Sequence, residues 1–163
     1  MRNREEGRRG DGLPVTISAA GIARIKRFEG CSLTVYDDQA GLPTIGWGHL
    51  IKAGEPFDST SKLTQDEADD LFIADLRPFA EGVVALLEVE VTQGAFDALV
   101  SFAFNVGLGA LRSSSFLRAV NSQESNEVIR EKLMRWNKVT VAGKKVESAG
   151  LTKRRASEAE AWP

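Results

Sequence analysis

Apolar residues recur at helical spacing along most of this chain and shift to a two-residue alternation in one short stretch near its start. Ile22, Ile25 and Phe28 share a helical face behind Ser18, a favourable N-cap. That pattern stops at Glu29-Gly30, where Gly30 can take the left-handed conformation that closes a helix. Thr64-Gln65-Asp66-Glu67 is a capping box, followed by Ala68, Leu71, Phe72, Leu76 and Phe79 on one face of a helix whose other face is acidic. Pro78 should kink or end this helix. Residues 95–106 are apolar at nine of twelve positions, so this helix should be buried on most sides and end at Gly107. Three further helical patterns carry Phe116, Leu117 and Val120, then Val128, Ile129, Leu133 and Trp136, then the span from about Leu151 to Trp162. A Gly- and Lys-containing loop from Val141 to Gly150 precedes the last.

Between the first two helices the period changes. Leu33-Thr34-Val35-Tyr36 reads as a strand, Asp37 to Gly41 as a turn and Thr44 to Gly48 as a second strand. The expected fold is α+β and mostly α. A small antiparallel sheet forms an N-terminal lobe over about 15–75, and a helical C-terminal lobe covers about 76–163. Ligand sites tend to form in the cleft between such lobes. Ordered structure should begin near Val15. Residues 1–14, rich in Arg, acidic residues and Gly, read as a disordered tail with no apolar segment of the kind that leads a protein out of the cell.

Composition narrows the function classes. Hydrophobic content of 42% and charged content of 27% suit a folded domain. A net charge of −2 argues against a nucleic-acid binder, which needs excess Lys and Arg against phosphate. No apolar run approaches the roughly 18–20 residues that span a bilayer, so no stable membrane insertion is expected. With Cys31 and His49 the only residues of their types, no internal disulfide and no ordinary zinc site can form; no metal or cofactor is expected.

The chemistry on offer is that of carboxylates. Glycoside hydrolysis needs one protonated carboxyl for the leaving oxygen and one ionised carboxylate on the far side of the bond. Glu29 at a helix end and Asp38 in the turn stand in different environments. The carbonyl ends of a helix disfavour negative charge, which suits a Glu29 that must hold a proton. Thr44, on the next strand, can hydrogen-bond a water beside Asp38. On spacing alone the signal is weak, because acidic residues in turns are usually solvated or cap something.

The residues between decide more. Glu29-Gly30, Tyr36-Asp37-Asp38 and the run Gly41-Leu42-Pro43-Thr44-Ile45-Gly46-Trp47-Gly48-His49 together resemble the phage-type (T4-like) lysozyme and endolysin family. There a Glu-Gly is followed by an Asp nine residues and a Thr fifteen residues after the Glu, as are Asp38 and Thr44 here. The resemblance extends over about residues 17–162. It includes Phe102 to Gly107, Arg135-Trp136 and Gly150-Leu151-Thr152 with Arg154, Arg155 and Glu158. It implies a lysozyme-like two-lobe fold and a cofactor-free muramidase that cuts the β-1,4 bond between N-acetylmuramic acid and N-acetylglucosamine in peptidoglycan. It implies Glu29 as general acid, Asp38 and Thr44 positioning water in an inverting displacement, and Leu50 and Phe104 as sugar contacts. It further implies a monomer held in the host cytoplasm until a holin releases it to the cell wall in the periplasm. Phe116 stands where a sugar-contacting Ser is expected, with Ser114 and Ser115 as substitutes, and Arg130 falls near an expected Asn.

Competing readings attach to several residues. Asp37 is expected to be a solvated turn residue. His49 could act as a base, but the resemblance pairs it with Asp75. Cys31 with His49 could form a thiol–imidazole pair of a wall peptidase, or Cys31 could be a small buried hydrophobe. A non-catalytic wall-binding module is a third possibility, disfavoured by the intact Glu29, Asp38 and Thr44 set. Trp47 should be exposed, with Trp136 and Trp162 in the core. Lys144, Lys145, Lys153, Arg154 and Arg155 could attract anionic wall polymer, or Arg154 could pair internally.

Overall fold

The computed structural model describes residues 16–163; the tail expected over 1–14, and Val15 as its boundary, lie outside the described residues. The first helix, α1 (Ala19–Lys26), is capped by Ser18, whose hydroxyl oxygen accepts from the Gly21 N–H at 3.1 Å. The Ser18 N–H and O–H both donate to the buried Asp97 carboxylate, tying α1 to a later helix. Gly21 permits the approach: a Cβ there would lie 2.6 Å from the Asp97 side chain. The helix ends at Lys26, before Glu29-Gly30, and Gly30 is not left-handed. The Arg27, Phe28 and Glu29 N–H groups reach back only three residues, to Arg24, Ile25 and Lys26, so the last turn tightens and releases the chain.

A three-stranded antiparallel sheet follows, with β1 (Ser32–Asp37), β2 (Pro43–Gly46) and β3 (His49–Leu50) in that order. Tyr36 pairs with Thr44, and Thr44 with Leu50. The β1–β2 turn is closed by the Asp38 N–H on the Leu42 carbonyl at 2.9 Å, with Gly41 at φ +76°, a conformation that favours glycine.

The capping box at Thr64 forms in full and starts α2 (Gln65–Leu86). This helix runs 22 residues through Pro78, against the expectation of a kink or an end there. Proline costs one backbone hydrogen bond, but α2 buries Phe72 and Leu76 before Pro78 and Ala80, Val83 and Val84 after it, so core contacts hold both halves. The central helix α3 (Gln93–Val106) is buried over Ala95–Ala103. Around it pack α4 (Leu108–Ser113), α5 (Ser115–Asn121), α6 (Asn126–Met134) and α7 (Ala149–Glu160). A second, smaller cluster joins Ile25 to Phe72 and Leu76, with Trp47 and Phe104 against it. The fold is thus α+β and mostly helical, as expected.

The segment expected as a loop before α7 is a hairpin, β4 (Lys138–Val141) and β5 (Lys144–Glu147), turned by Ala142-Gly143 at φ +48° and +77°. Every residue in both strands is exposed. The first strand alternates as Lys138-Val139-Thr140-Val141, but the run is only four residues long and buries neither face, so it marks no core side.

Candidate active site

Glu29 leaves the tightened end of α1 with its side chain 25% exposed, and Arg154 of α7 donates to its Oε1 at 2.7 Å. Arg154 is itself only 6% exposed and sits over the Phe28 ring. A guanidinium from the last helix therefore stands beside Glu29, a neighbour that its place near the end of α1 does not reveal. Among the described residues Oε2 takes no protein hydrogen bond. Glu29, Arg154, Phe28, Asn105 and Ser148 line a groove of about 350 Å³. A second groove of about 390 Å³ is lined by Leu50, His49, Asp75, Phe79 and Phe104. Phe104 and Asn105, neighbours at the end of α3, contribute one to each groove.

Asp38 is fixed by its own turn. Its Oδ1 accepts from the Ala40 N–H at 2.8 Å and the Leu42 N–H at 2.9 Å, which leaves Oδ2 without a protein partner among the described residues. Two backbone donors on one oxygen hold the carboxylate in place. Thr44 is buried, and its hydroxyl donates to the Leu42 carbonyl at 3.0 Å, leaving oxygen lone pairs for a further donor. Both side chains thus hang on the same short segment, Asp38 to Thr44. Asp37 is exposed at the end of β1, paired with Pro43.

His49 is buried, and its Nδ1 lies 2.9 Å from both oxygens of Asp75, the pairing expected from the sequence. Its Nε2 has a carboxylate too, Glu55 Oε2 at 3.0 Å, which sequence reasoning missed. Burial works against the imidazolium, but hydrogen bonds and charge from Glu55 and Asp75 outweigh it and raise the His49 pKa above its ordinary 6.5. The Lys52 N–H and His49 hold Glu55 below its ordinary 4.5. A raised histidine stabilises the fold fully below 6.5 and loses that contribution as pH climbs through its elevated value. Glu55 contributes above 4.5 and loses its share on acidification. Stabilisation by this cluster should therefore peak between 4.5 and 6.5 and fall above that range. Thermal melts of the parent protein and His49→Gln should differ more at about pH 5.5 than at about pH 8.5.

With both ring nitrogens held by carboxylates, His49 is not free to activate a thiol. Cys31 is exposed rather than buried, and its contact is Gln65 Nε2 at 3.9 Å. It begins the exposed edge leading into β1, where no apolar pocket receives it. The thiol–imidazole pair is absent from this geometry. Among the described residues no three of His, Cys, Asp and Glu converge on a metal-holding arrangement.

Trp47 is half-buried rather than exposed. It packs on Phe72, lies under the Lys26 ammonium and donates to Asp69 at 2.7 Å. Lys26, Trp47 and Gln65 together hold the Asp69 carboxyl down at about 2. Phe116 is fully buried between Phe102 and Trp162, and the buried Ser114 caps α5, so neither reaches a groove; Ser115 is half-buried. Arg130 is spent on the Trp162 and Pro163 carbonyls. Trp162 is core, while Trp136 is half-buried against Phe102. The basic group divides: Lys144, Lys145 and Lys153 are exposed, and Arg154 and Arg155 are buried. A third cavity, of about 240 Å³ beside Val91, Ile129 and Trp162, contains none of the site residues.

The family model for phage lysozyme matches residues 26–158, which takes in Glu29, the hairpin and α7. The chain belongs to the phage lysozyme family. Among phage lysozyme relatives, the endolysin of Bacillus phage B103 is 42% identical over 149 residues, covering 88% of this chain and 52% of its own length. The chain thus spans about half the length of that relative. The endolysin of Acyrthosiphon pisum secondary endosymbiont phage 1 is 33% identical over 144 residues, covering 87% of this chain and 94% of its own. The solved endolysin from Escherichia coli O157:H7 phage FAHEc1 superposes with a TM-score of 0.81 at 40% identity, covering 90% of this chain and 92% of the other. For a phage lysozyme the least legible site residue was Arg154. It belongs to the Gly150 to Glu158 motif, but its partner Glu29 lies 125 residues away in the chain.

Proposed function

We propose that this chain is an endolysin muramidase that hydrolyses the β-1,4 bond between N-acetylmuramic acid and N-acetylglucosamine in peptidoglycan. The observation that carries the reading is Glu29, half-buried on a groove wall, with one carboxyl oxygen held by Arg154 and the other open. Glu29 is the general acid: Oε2 holds the proton and delivers it to the leaving glycosidic oxygen. Asp38, its Oδ1 anchored, uses Oδ2 to accept from a water, and the Thr44 hydroxyl oxygen accepts the other hydrogen of that water. The bond from sugar C1 to the leaving oxygen breaks as the water oxygen bonds to C1 from the opposite face, with inversion, and the proton that the water loses passes to Asp38 Oδ2. Residues 15–163 act as one catalytic domain, and Leu50 and Phe104 contact sugar in the groove they share. The protein works as a monomer, and a holin lets it pass from the host cytoplasm to the wall. No helix among the described residues is long and apolar enough to cross a membrane, which supports delivery by a separate pore.

Purified sacculi digested by the protein should release new reducing sugars without new free amino groups. The opposite pattern would replace the glycosidase with a peptidase.

A further inference from the structure

We propose that Glu158 is a positioning residue that sets the net charge beside Glu29 by way of Arg154. The proposal rests on reading Glu29 as the proton donor. Helix α7 carries Arg154, Arg155 and Glu158 into the interior, where Arg155 and Glu158 are fully buried. Glu158 Oε2 stands 2.8 Å from Arg155 Nε, and Oε1 stands 3.1 Å from Arg155 Nη2 and 3.5 Å from Arg154 Nε. The Ser101 hydroxyl of α3 donates to Oε1 at 2.7 Å. Burial holds the Glu158 carboxyl above its ordinary 4.5, opposed only in part by Arg155, Ser101 and Arg154. Both guanidinium neighbours are cations, so an ionised Glu158 matches them in charge; its Oε1 accepts from Ser101 and Arg155 Nη2, while Oε2 and Arg155 Nε, though close, form no hydrogen bond.

The charge count follows from these contacts. Two guanidinium groups and one carboxylate leave a net single positive charge, and Arg154 is the member of the set that is bonded to Glu29. Arg155 spends another donor on Asn105 Oδ1 at 2.8 Å, which locks the inner pair to the end of α3. Other charged groups on the surrounding elements are committed elsewhere. Asp97 of α3 bonds Ser18 and Gln93, and Arg24 of α1 bonds Ser157. On α6, Glu127, Arg130 and Glu131 are exposed and Lys132 half-buried. Glu158 is therefore the internal counter-charge that keeps two cations from acting on Glu29 together.

Glu158→Gln keeps the shape and removes that counter-charge. The extra positive charge favours ionised Glu29, so the acid is lost at lower pH. The basic limb of the kcat/KM profile should move down by about half a pH unit or more. Ser101→Ala, which weakens the hold on the Glu158 charge without touching either arginine, should move it the same way by less. Both profiles should be measured on full-length protein with circular dichroism as the check of folding, alongside Glu29→Gln. If Glu158→Gln does not fold, the Ser101→Ala profile decides. A uniform loss of rate at all pH values, with the limb in place in the folded variants, would overturn the role of Glu158 while an inactive Glu29→Gln leaves the acid assignment standing. A folded, active Glu29→Gln would remove the acid assignment and this proposal with it.

Discussion

Replacing Glu29 with Gln should lower bacteriolytic turnover by at least about a thousandfold while the protein stays folded. The amide cannot donate an acidic proton, so the leaving oxygen must depart as an alkoxide. The structural cost is smaller than for most changes at a buried ion pair, because the Gln carbonyl can still accept from Arg154 at the 2.7 Å site that Glu29 Oε1 occupies. The measurement is clearing of permeabilised cells, read beside far-ultraviolet circular dichroism. Turnover near the parent level in a folded variant would remove Glu29 from the reaction. Partial activity that tracks a loss of fold would place its role in stability.

Much of the candidate site was legible in the sequence because it is local. Glu29, Asp38 and Thr44 lie within one short segment that ends at His49, and it is the resemblance of that whole segment to the phage lysozymes, not turn and strand signals, that singles them out. The other half of the site is not local. Arg154 reaches Glu29 from the last helix, and no periodicity links the two. Glu55 was missed for a different reason: it sits in an irregular stretch, where nothing distinguishes a carboxylate aimed at an imidazole from a solvated one. The fold failed to read at two places of opposite kind. Pro78 carries a strong local signal that packing on both sides overrides, and the alternation of β4 spans only four residues with both faces of the hairpin exposed, too short a run to stand out. Cys31 reads as a small buried hydrophobe from its residue type, and Trp47 as exposed from its place in the hairpin. Each is reversed by neighbours that neither signal specifies: Lys26, Asp69 and Phe72 hold Trp47 in, and Cys31 stands exposed.

The largest effect on stability is expected at Phe102. Its side chain is fully buried, meets Phe116 and Trp136 edge-on at 5.2 Å, and carries the Arg155 guanidinium over its ring at 4.9 Å. Phe102→Ala removes the ring, opens a cavity and takes the aromatic floor from a buried cation, at a cost of about 3–5 kcal/mol. For a domain of this size each kcal/mol lowers the melting temperature by about 2–4 °C, so a fall of roughly 6–20 °C is expected. Calorimetry or a thermal melt checks it. Phe102→Leu, which keeps much of the apolar volume, should recover part of the loss. Equal losses in the two variants would mean that the aromatic contacts, rather than the cavity, dominate this part of the core.

The most direct measurement is mass spectrometry of peptidoglycan digested by the protein and then reduced with borohydride. Cleavage of the bond on the reducing side of N-acetylmuramic acid leaves muropeptides whose reduced end is N-acetylmuramitol, with stem peptides intact, and that is the expected product. Fragments ending in reduced N-acetylglucosamine, 1,6-anhydro ends or cut stem peptides would contradict the assignment of a muramidase built on Glu29.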